Sequence, residues 1–155
     1  MRLSVPASAA CLALLCGLAA AQPASMSGSW HLNVEKSKWG SANKPHSVVL
    51  TIEHNEPDLH YHGMVTYANE DERPFSFSGA FDGKPYPMSR SFGEGLITLA
   101  RLDSHTVESV FRTNDGAYTE TARTTLSRDG RTLTRQLRVT SPEGVKKWTE
   151  LYERR

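Results

Sequence analysis

The sequence predicts an all-β protein whose strands follow one another as an antiparallel up-and-down meander. Short segments rich in β-branched and aromatic residues recur every 8 to 12 positions, and turn residues separate them. Asp-Gly pairs, as at Asp82-Gly83, Asp115-Gly116 and Asp129-Gly130, tolerate the positive φ angles of tight hairpins. Because the intervals leave no room for crossover helices, the strands must close into a barrel or pack as a sandwich.

Ten strands are predicted, with a single possible helical turn at 34–39. In the order of the chain, the predicted strands cover 27–33, 46–55, 59–68, 73–82, 85–90, 95–103, 106–114, 117–127, 132–141 and 145–153. Alternation along them assigns the inward faces. The predicted core includes Val48, Leu50 and Ile52, then Phe75, Phe77 and Phe81, then Leu133, Leu137 and Val139, with Trp148 and Tyr152 on one face.

Residues 1–21 have the features of a cleaved secretory signal peptide. A basic start at Arg2 precedes an apolar run, and Ala19-Ala20-Ala21 supplies the small residues expected before a cleavage site at Ala21–Gln22. The alternatives are an uncleaved membrane anchor, for which the run is short, and a lipid anchor at Cys11 or Cys16, whose preceding residues fit poorly. We therefore expect a single domain at 22–155, periplasmic or secreted, without stable membrane insertion.

Charge and cysteine content narrow the function classes. Basic and acidic residues are nearly balanced and interspersed, so we expect no nucleic-acid partner. Both cysteines lie within residues 1–21, so a hydrophobic core must stabilise the domain without disulfides. A domain of this size buries roughly two-thirds of its unfolded surface.

Two polar residues interrupt the inward faces and are candidate ligand-binding residues. His54 continues the face of Val48 to Ile52, and Arg135 lies between Leu133 and Leu137. In a barrel with a cavity, either could bind the polar head of a ligand. Alternatively, Arg135 pairs with a carboxylate such as Glu120, or His54 lies at a strand end in water.

The sequence contains no pattern that predicts a metal, a cofactor or a catalytic site. His60 and His62 share a strand face, but two ligands do not complete a closed metal site, and we expect both to be solvated. No Cys nucleophile, G-x-S-x-G, H-E-x-x-H or phosphate-binding loop is present. The carboxylates Glu108, Glu120, Glu150 and Glu153 are expected mostly to face solvent.

An ordered set of short motifs resembles the small secreted bacterial proteins grouped as lipocalin-like. The motifs are Ser27-Gly28-Ser29-Trp30-His31-Leu32-Asn33 with 35–40, then 82–87, 101–108, 127–134 and 148–153. The resemblance implies a calycin-type barrel of 8–10 strands, with Gly28 and Trp30 on the first strand. It further implies that Trp30 closes the barrel base against a basic residue, here Arg154 or Arg155. The long helix and the T-D-Y motif of larger lipocalins are missing.

Three functions are compatible with these observations. The first is an extracytoplasmic binding protein for a small hydrophobic or amphipathic ligand, held by Tyr61, Tyr67, Phe77 and Phe81 with Arg135 or His54 as polar partner. The second is a structural or interaction protein with a side-chain-filled barrel and no small ligand. The third is an enzyme in which a histidine meets a carboxylate in a cleft. The oligomeric state does not follow from the sequence.

Overall fold

The computed structural model of the protein describes residues 23–155. The predicted signal peptide and its cleavage position at Ala21–Gln22 lie outside the described residues. The all-β prediction is confirmed. The strands are β1 (Gly28–Leu32), β2 (Ser47–Asn55), β3 (Asp58–Thr66), β4 (Glu72–Ala80), β5 (Pro85–Arg90), β6 (Gly93–Arg101), β7 (Thr106–Thr113), β8 (Thr119–Leu126), β9 (Thr132–Ser141) and β10 (Gly144–Arg154).

The ten strands form one antiparallel sheet that curls into a nearly closed barrel. Their order in the sheet is β4-β3-β2-β1-β10-β9-β8-β7-β6-β5. Each strand therefore pairs with its neighbour in the chain, except that β1 pairs with β10 and that β4 and β5 form the two unpaired edges. The meander is thus the predicted one, and its strand number is the upper limit of the 8–10 expected.

Two of the three Asp-Gly turns, Asp115-Gly116 and Asp129-Gly130, connect hairpins as their chemistry predicts, whereas Asp82-Gly83 joins β4 to β5, which do not pair with each other. Gly83, Gly116 and Gly130 have φ angles of +72°, +71° and +69°, in the left-handed region that glycine adopts without a steric penalty. The preceding aspartate accepts backbone hydrogen bonds across the turn: Asp115 Oδ1, for example, accepts from the amide of Ala117 at 3.0 Å. Local sequence therefore sets the positions of these strand ends.

We call the two ends of the barrel the base and the rim. Residues 23–27 and the β2–β3, β4–β5, β6–β7 and β8–β9 turns lie at the base, and segment 33–46 lies at the rim. The helical turn predicted within 34–39 is a hydrogen-bonded turn and not a helix. The chain then returns to the edge of β10, where the backbones of Lys38 and Thr149 exchange two hydrogen bonds of 2.8 Å.

The base of the barrel is tightly packed around Trp30. Its side chain has no exposed surface, and its Nε1 donates a hydrogen bond of 2.9 Å to the backbone oxygen of Met26. The guanidinium of Arg154 lies over the Trp30 ring, 4.5 Å from its centroid, and donates to the backbone oxygen of Ser27 at 2.7 Å. Gly28, with a φ of +138°, passes directly beside the Arg154 side chain. Arg154, and not Arg155, therefore caps the Trp30 ring.

No helix within residues 23–155 is long and apolar enough to cross a bilayer.

Candidate functional site

Four charged side chains lie on the inward faces of the rim half of the barrel. Strand alternation places Arg90 with Tyr86 and Met88 on β5, and Glu120 with Ala122 on β8. It likewise places Arg135 between Leu133 and Leu137, and Glu150 between Trp148 and Tyr152. We call Arg90, Glu120, Arg135 and Glu150 the interior charge cluster. Such groups are costly to remove from water unless they are paired.

One ion pair of the cluster bridges strands that are not neighbours in the sheet. Arg90 Nη2 donates to Glu120 Oε1 at 3.0 Å, and the two side chains are 19% and 8% exposed. Arg90 is the last residue of β5, one of the two edge strands of the sheet, and its guanidinium lies 5.9 Å from the Phe111 ring centroid. Its Nε–H is buried and has no hydrogen-bond acceptor among residues 23–155. This pair therefore retains an unused donor inside the barrel.

The second ion pair joins neighbouring strands and is the more densely hydrogen-bonded. Glu150 Oε2 accepts from Arg135 Nη1 at 3.0 Å and from the Tyr152 hydroxyl at 3.1 Å, while Oε1 accepts from Trp148 Nε1 at 2.9 Å. Burial, reinforced by the charge of Glu150, raises the pKa of Tyr152. For Arg135, burial is the largest single effect and opposes the charged form, but the combined attraction of Glu150 and the other acidic groups around it raises the pKa. Glu150 is thus the centre of a three-donor network.

Aromatic side chains line the wall opposite these pairs. Tyr61 on β3 packs against Phe77 with ring centroids 5.3 Å apart and against Phe75 at 6.1 Å. Phe77 in turn meets Tyr86 at 6.1 Å across the unpaired β4 and β5 edges. Burial raises the pKa of Tyr61, and the nearby charges of Arg90 and Arg135 partly oppose that rise. The interior thus combines an aromatic wall with a polar cluster.

The exposure of the inward groups distinguishes the two halves of the barrel. At the base, Leu133 and Leu126 retain 1% and 3% of their surface. Arg135 and Glu150, although they point inward, retain 22% and 13% of their side-chain surface. An inward group can keep such exposure only if there is space beside it. Part of the cluster is therefore in contact with solvent, whereas the base is filled by its own side chains.

The structure separates the six residues predicted to bind a ligand. Arg135 is a member of the interior charge cluster, and Tyr61 and Phe77 lie in the interior beside it. Phe81 lies at the base, where the Arg101 guanidinium is 4.8 Å from its ring centroid. Tyr67 follows β3 in the β3–β4 connection and lies under the guanidinium of Arg73, at 5.1 Å. His54 is also at the base.

His54 is a structural residue of the base and is not in water, so the alternative that placed it there is wrong. Its side chain is 2% exposed. The Met26 amide donates to His54 Nδ1 at 3.1 Å, so Nε2 carries the proton and donates to Glu56 Oε2 at 2.7 Å. Arg101 donates to the same carboxylate, and this hydrogen bond is the largest of the effects that lower the pKa of Glu56.

This contact is the histidine–carboxylate pair that the enzyme hypothesis required, but its geometry does not favour catalysis. Both ring nitrogens of His54 are already engaged, one by Met26 and one by Glu56. His60 and His62 are exposed on the outer face of β3. No group of three or more metal-ligating side chains occurs within residues 23–155.

The sequence did not predict Arg90 or Glu150 as members of the interior charge cluster, and it offered Glu120 only as a possible partner of Arg135. Of the four carboxylates expected mostly to face solvent, Glu120 and Glu150 point inward. Arg135 does pair with a carboxylate, but with Glu150, while Glu120 pairs with Arg90. A signal was present for Glu150, because a residue between two inward aromatic side chains at i−2 and i+2 must itself point inward.

A second concave surface of the described chain lies on the outer face of β7 to β10. Basic side chains predominate in it, namely Lys38, Arg123, Arg138 and Lys147, against the single carboxylate of Glu108. These side chains stand in solvent, where water screens their charges at little cost. The interior charges are held where charge is expensive, so we place the candidate site inside the barrel.

Comparison with solved structures finds β-barrels of similar fold. The Schistosoma mansoni fatty acid binding protein in complex with arachidonic acid superposes with a TM-score of 0.60 at 13% identity, covering 84% of this chain and 96% of that one. A mutant of the fluorescent protein UnaG gives 0.57 at 11%, covering 83% and 95%. The zebrafish ileal bile-acid-binding protein complexed with cholic acid gives 0.52 at 15%, covering 84% and 100%.

These likenesses confirm the calycin-like barrel fold that the sequence predicted. No protein-family model matches the chain, and no curated protein matches it. At such low identity the structural neighbours establish the fold alone.

Proposed function

We propose that this protein binds a small hydrophobic or amphipathic molecule in the rim half of its barrel and that it performs no catalysis. The observation that carries the proposal is the interior charge cluster, which is paired yet still partly exposed beside an aromatic wall. A domain whose interior served packing alone would be simpler to stabilise with apolar side chains at these positions. A largely apolar pocket with a few polar groups is the usual form of a site for such ligands.

The structural neighbours support this proposal by their recorded ligands. One is a fatty acid binding protein in complex with arachidonic acid, and another is a bile-acid-binding protein with cholic acid. Together with the secretory signal predicted at 1–21, they suggest a binding protein that works outside the cytoplasm. An intact mass that begins at Gln22 would support that location.

The test is native mass spectrometry of the protein purified from its own host, compared with the same sample after denaturation. We expect a native mass excess that disappears on denaturation. A bare polypeptide mass, unchanged by a panel of lipids and neutral hydrophobic dyes, would refute the proposal.

A matched pair of variants locates the bound molecule. Thr124 points inward and lies directly opposite Arg135 on the neighbouring strand, whereas the adjacent Thr125 is exposed on the outer face. Thr124→Trp fills space beside the cluster and should abolish the mass excess. Thr125→Trp adds the same side chain outside and should leave the excess unchanged. Equal retention in both variants would place the ligand outside the barrel.

The second candidate is an interaction protein that uses its outer basic groove. Arg138 and Lys147 lie directly opposite each other on β9 and β10, an arrangement of like charges that destabilises a sheet unless an anion offsets it. An acidic partner protein would relieve this repulsion. Salt-sensitive binding that is lost in Lys147→Glu, together with a bare native mass, would favour this candidate.

A further inference from the structure

The interior charge cluster has no net charge, which restricts the chemistry of a ligand's polar end. Two arginines and two glutamates form two pairs with N–O distances of 3.0 Å each. The other charged residues on the same inward rows lie at the two ends of the barrel. Arg73 and Lys146 are exposed at the rim, where Arg73 pairs with Asp71. Arg101 and Arg154 lie at the base, where Arg101 pairs with Glu56 and Arg154 covers the Trp30 ring. A charged head group that reached the cluster would therefore find its potential partners already neutralised.

The cost of an extra charge in this interior is large. A carboxylate brought beside Arg90 or Arg135 would also approach Glu120 or Glu150, and an ammonium group beside either glutamate would approach an arginine. An uncompensated ion in such surroundings costs several kcal/mol. Either charged head could bind only if it displaced an existing pair.

The hydrogen-bonding capacity of the cluster, by contrast, is not used up. The buried Nε–H of Arg90 has no acceptor among residues 23–155. In the same pair, only Oε1 of Glu120 contacts Arg90, which leaves Oε2 as an acceptor. A donor and an acceptor are thus available side by side on an ion pair. A hydroxyl or a primary amide satisfies both at once, because each can donate and accept.

We infer that the ligand is an uncharged amphipath, with a hydroxyl or amide head that bonds to the Arg90–Glu120 pair and an apolar body against Tyr61 and Phe77. This inference rests on the proposed function and names its ligand class. Arg90 lies at the rim end of the edge strand β5, whose free edge faces β4, so a head group can reach it without separating two hydrogen-bonded strands.

The experiment compares four molecules with the same alkyl chain: dodecanol, dodecanamide, dodecanoate and dodecylammonium. Each displaces the neutral dye Nile red from the purified protein at constant salt and neutral pH. We expect the alcohol and the amide to bind at least about tenfold more tightly than either ion, a ratio that corresponds to about 1.4 kcal/mol. Dodecanoate binding as tightly as dodecanol would overturn the inference while leaving the proposed function intact. Failure of all four and of the dye would instead count against the proposed function.

Charge variants test the cause of the ranking. Glu120→Gln keeps the shape of the side chain but leaves Arg90 without its counter-charge, so dodecanoate should gain at least about tenfold relative to dodecanol. Glu108→Gln makes the same change on the outside of the barrel, where Glu108 faces Arg123 at 3.6 Å, and should leave the ranking unchanged. If Glu120→Gln folds and does not favour dodecanoate, the inference is wrong. If Glu120→Gln does not fold, the inference is decided by the order in which the unmodified protein binds the four dodecyl molecules.

Discussion

Removing the two members of the Arg135–Glu150 pair one at a time should destabilise the protein to different extents. Glu150 accepts hydrogen bonds from Arg135, Tyr152 and Trp148. In Arg135→Met the carboxylate keeps two neutral donors, Tyr152 and Trp148. In Glu150→Met the guanidinium loses its counter-charge and both neutral donors lose their acceptor.

The magnitudes follow from these partners. Breaking a buried pair costs about 3–5 kcal/mol, and an unsatisfied neutral donor costs about 1–3 kcal/mol. Because these side chains are 13–22% exposed, we expect the lower part of those ranges. We predict losses of about 3 kcal/mol for Arg135→Met and about 5 kcal/mol for Glu150→Met. The double variant should lose clearly less than their sum, since neither charge remains.

Urea unfolding followed by circular dichroism measures these free energies, with the m value as a check on two-state behaviour. The control is Glu35→Met, which removes a carboxylate that pairs with Lys44 at the surface, where Glu35 is 86% exposed. It should cost less than about 1 kcal/mol. A loss in Arg135→Met equal to or greater than that in Glu150→Met would refute the assignment of Glu150 as the centre of the network.

Two further predictions concern the base. Arg154→Ala removes the cation that covers Trp30 and should lower the free energy of unfolding, measured by urea denaturation, by about 1 kcal/mol. Arg155→Ala should leave it unchanged, and equal effects of the two variants would contradict the role of Arg154. Arg101 lowers the pKa of Glu56 in the folded protein, so the contribution of Glu56 is present above its unfolded pKa and is lost as the pH falls through its folded pKa. Glu56→Gln should therefore reduce the free energy of unfolding at neutral pH by less than about 1 kcal/mol and leave it unchanged in strong acid. A difference in the free energy of unfolding that persists in acid would contradict this.

The strands and their inward faces could be predicted because the signals for them are local. Alternation along β2, β4 and β9 identifies core residues within a few positions of one another, and Asp-Gly pairs mark the turns. The same parity could have placed Glu150 inside, between Trp148 and Tyr152. Glutamate is usually exposed, a tendency of the residue type that the geometry of β10 overrides at Glu150.

The partners of the interior charges could not be predicted in the same way. Strand β9 has two neighbours, β8 and β10, and each offers Arg135 a carboxylate on the same face, Glu120 or Glu150. The choice depends on side-chain geometry between strands. The separation of Tyr61 from Tyr67 and Phe81 also depends on height along the barrel, which alternation does not report.

By itself, the sequence determined an all-β meander, its ten strands, its turns and most of its core, because these follow from rules that act over two to ten residues. Tertiary structure decided that β1 pairs with β10 and that β4 and β5 do not pair with each other. It also decided that two arginines meet two glutamates inside the barrel. Arg90 and Glu120 are thirty residues apart in the chain, and the curvature of the sheet across β6 and β7 brings them together. A charge placed inward is tolerated because another strand supplies its counter-charge, and that condition exists only in the folded molecule.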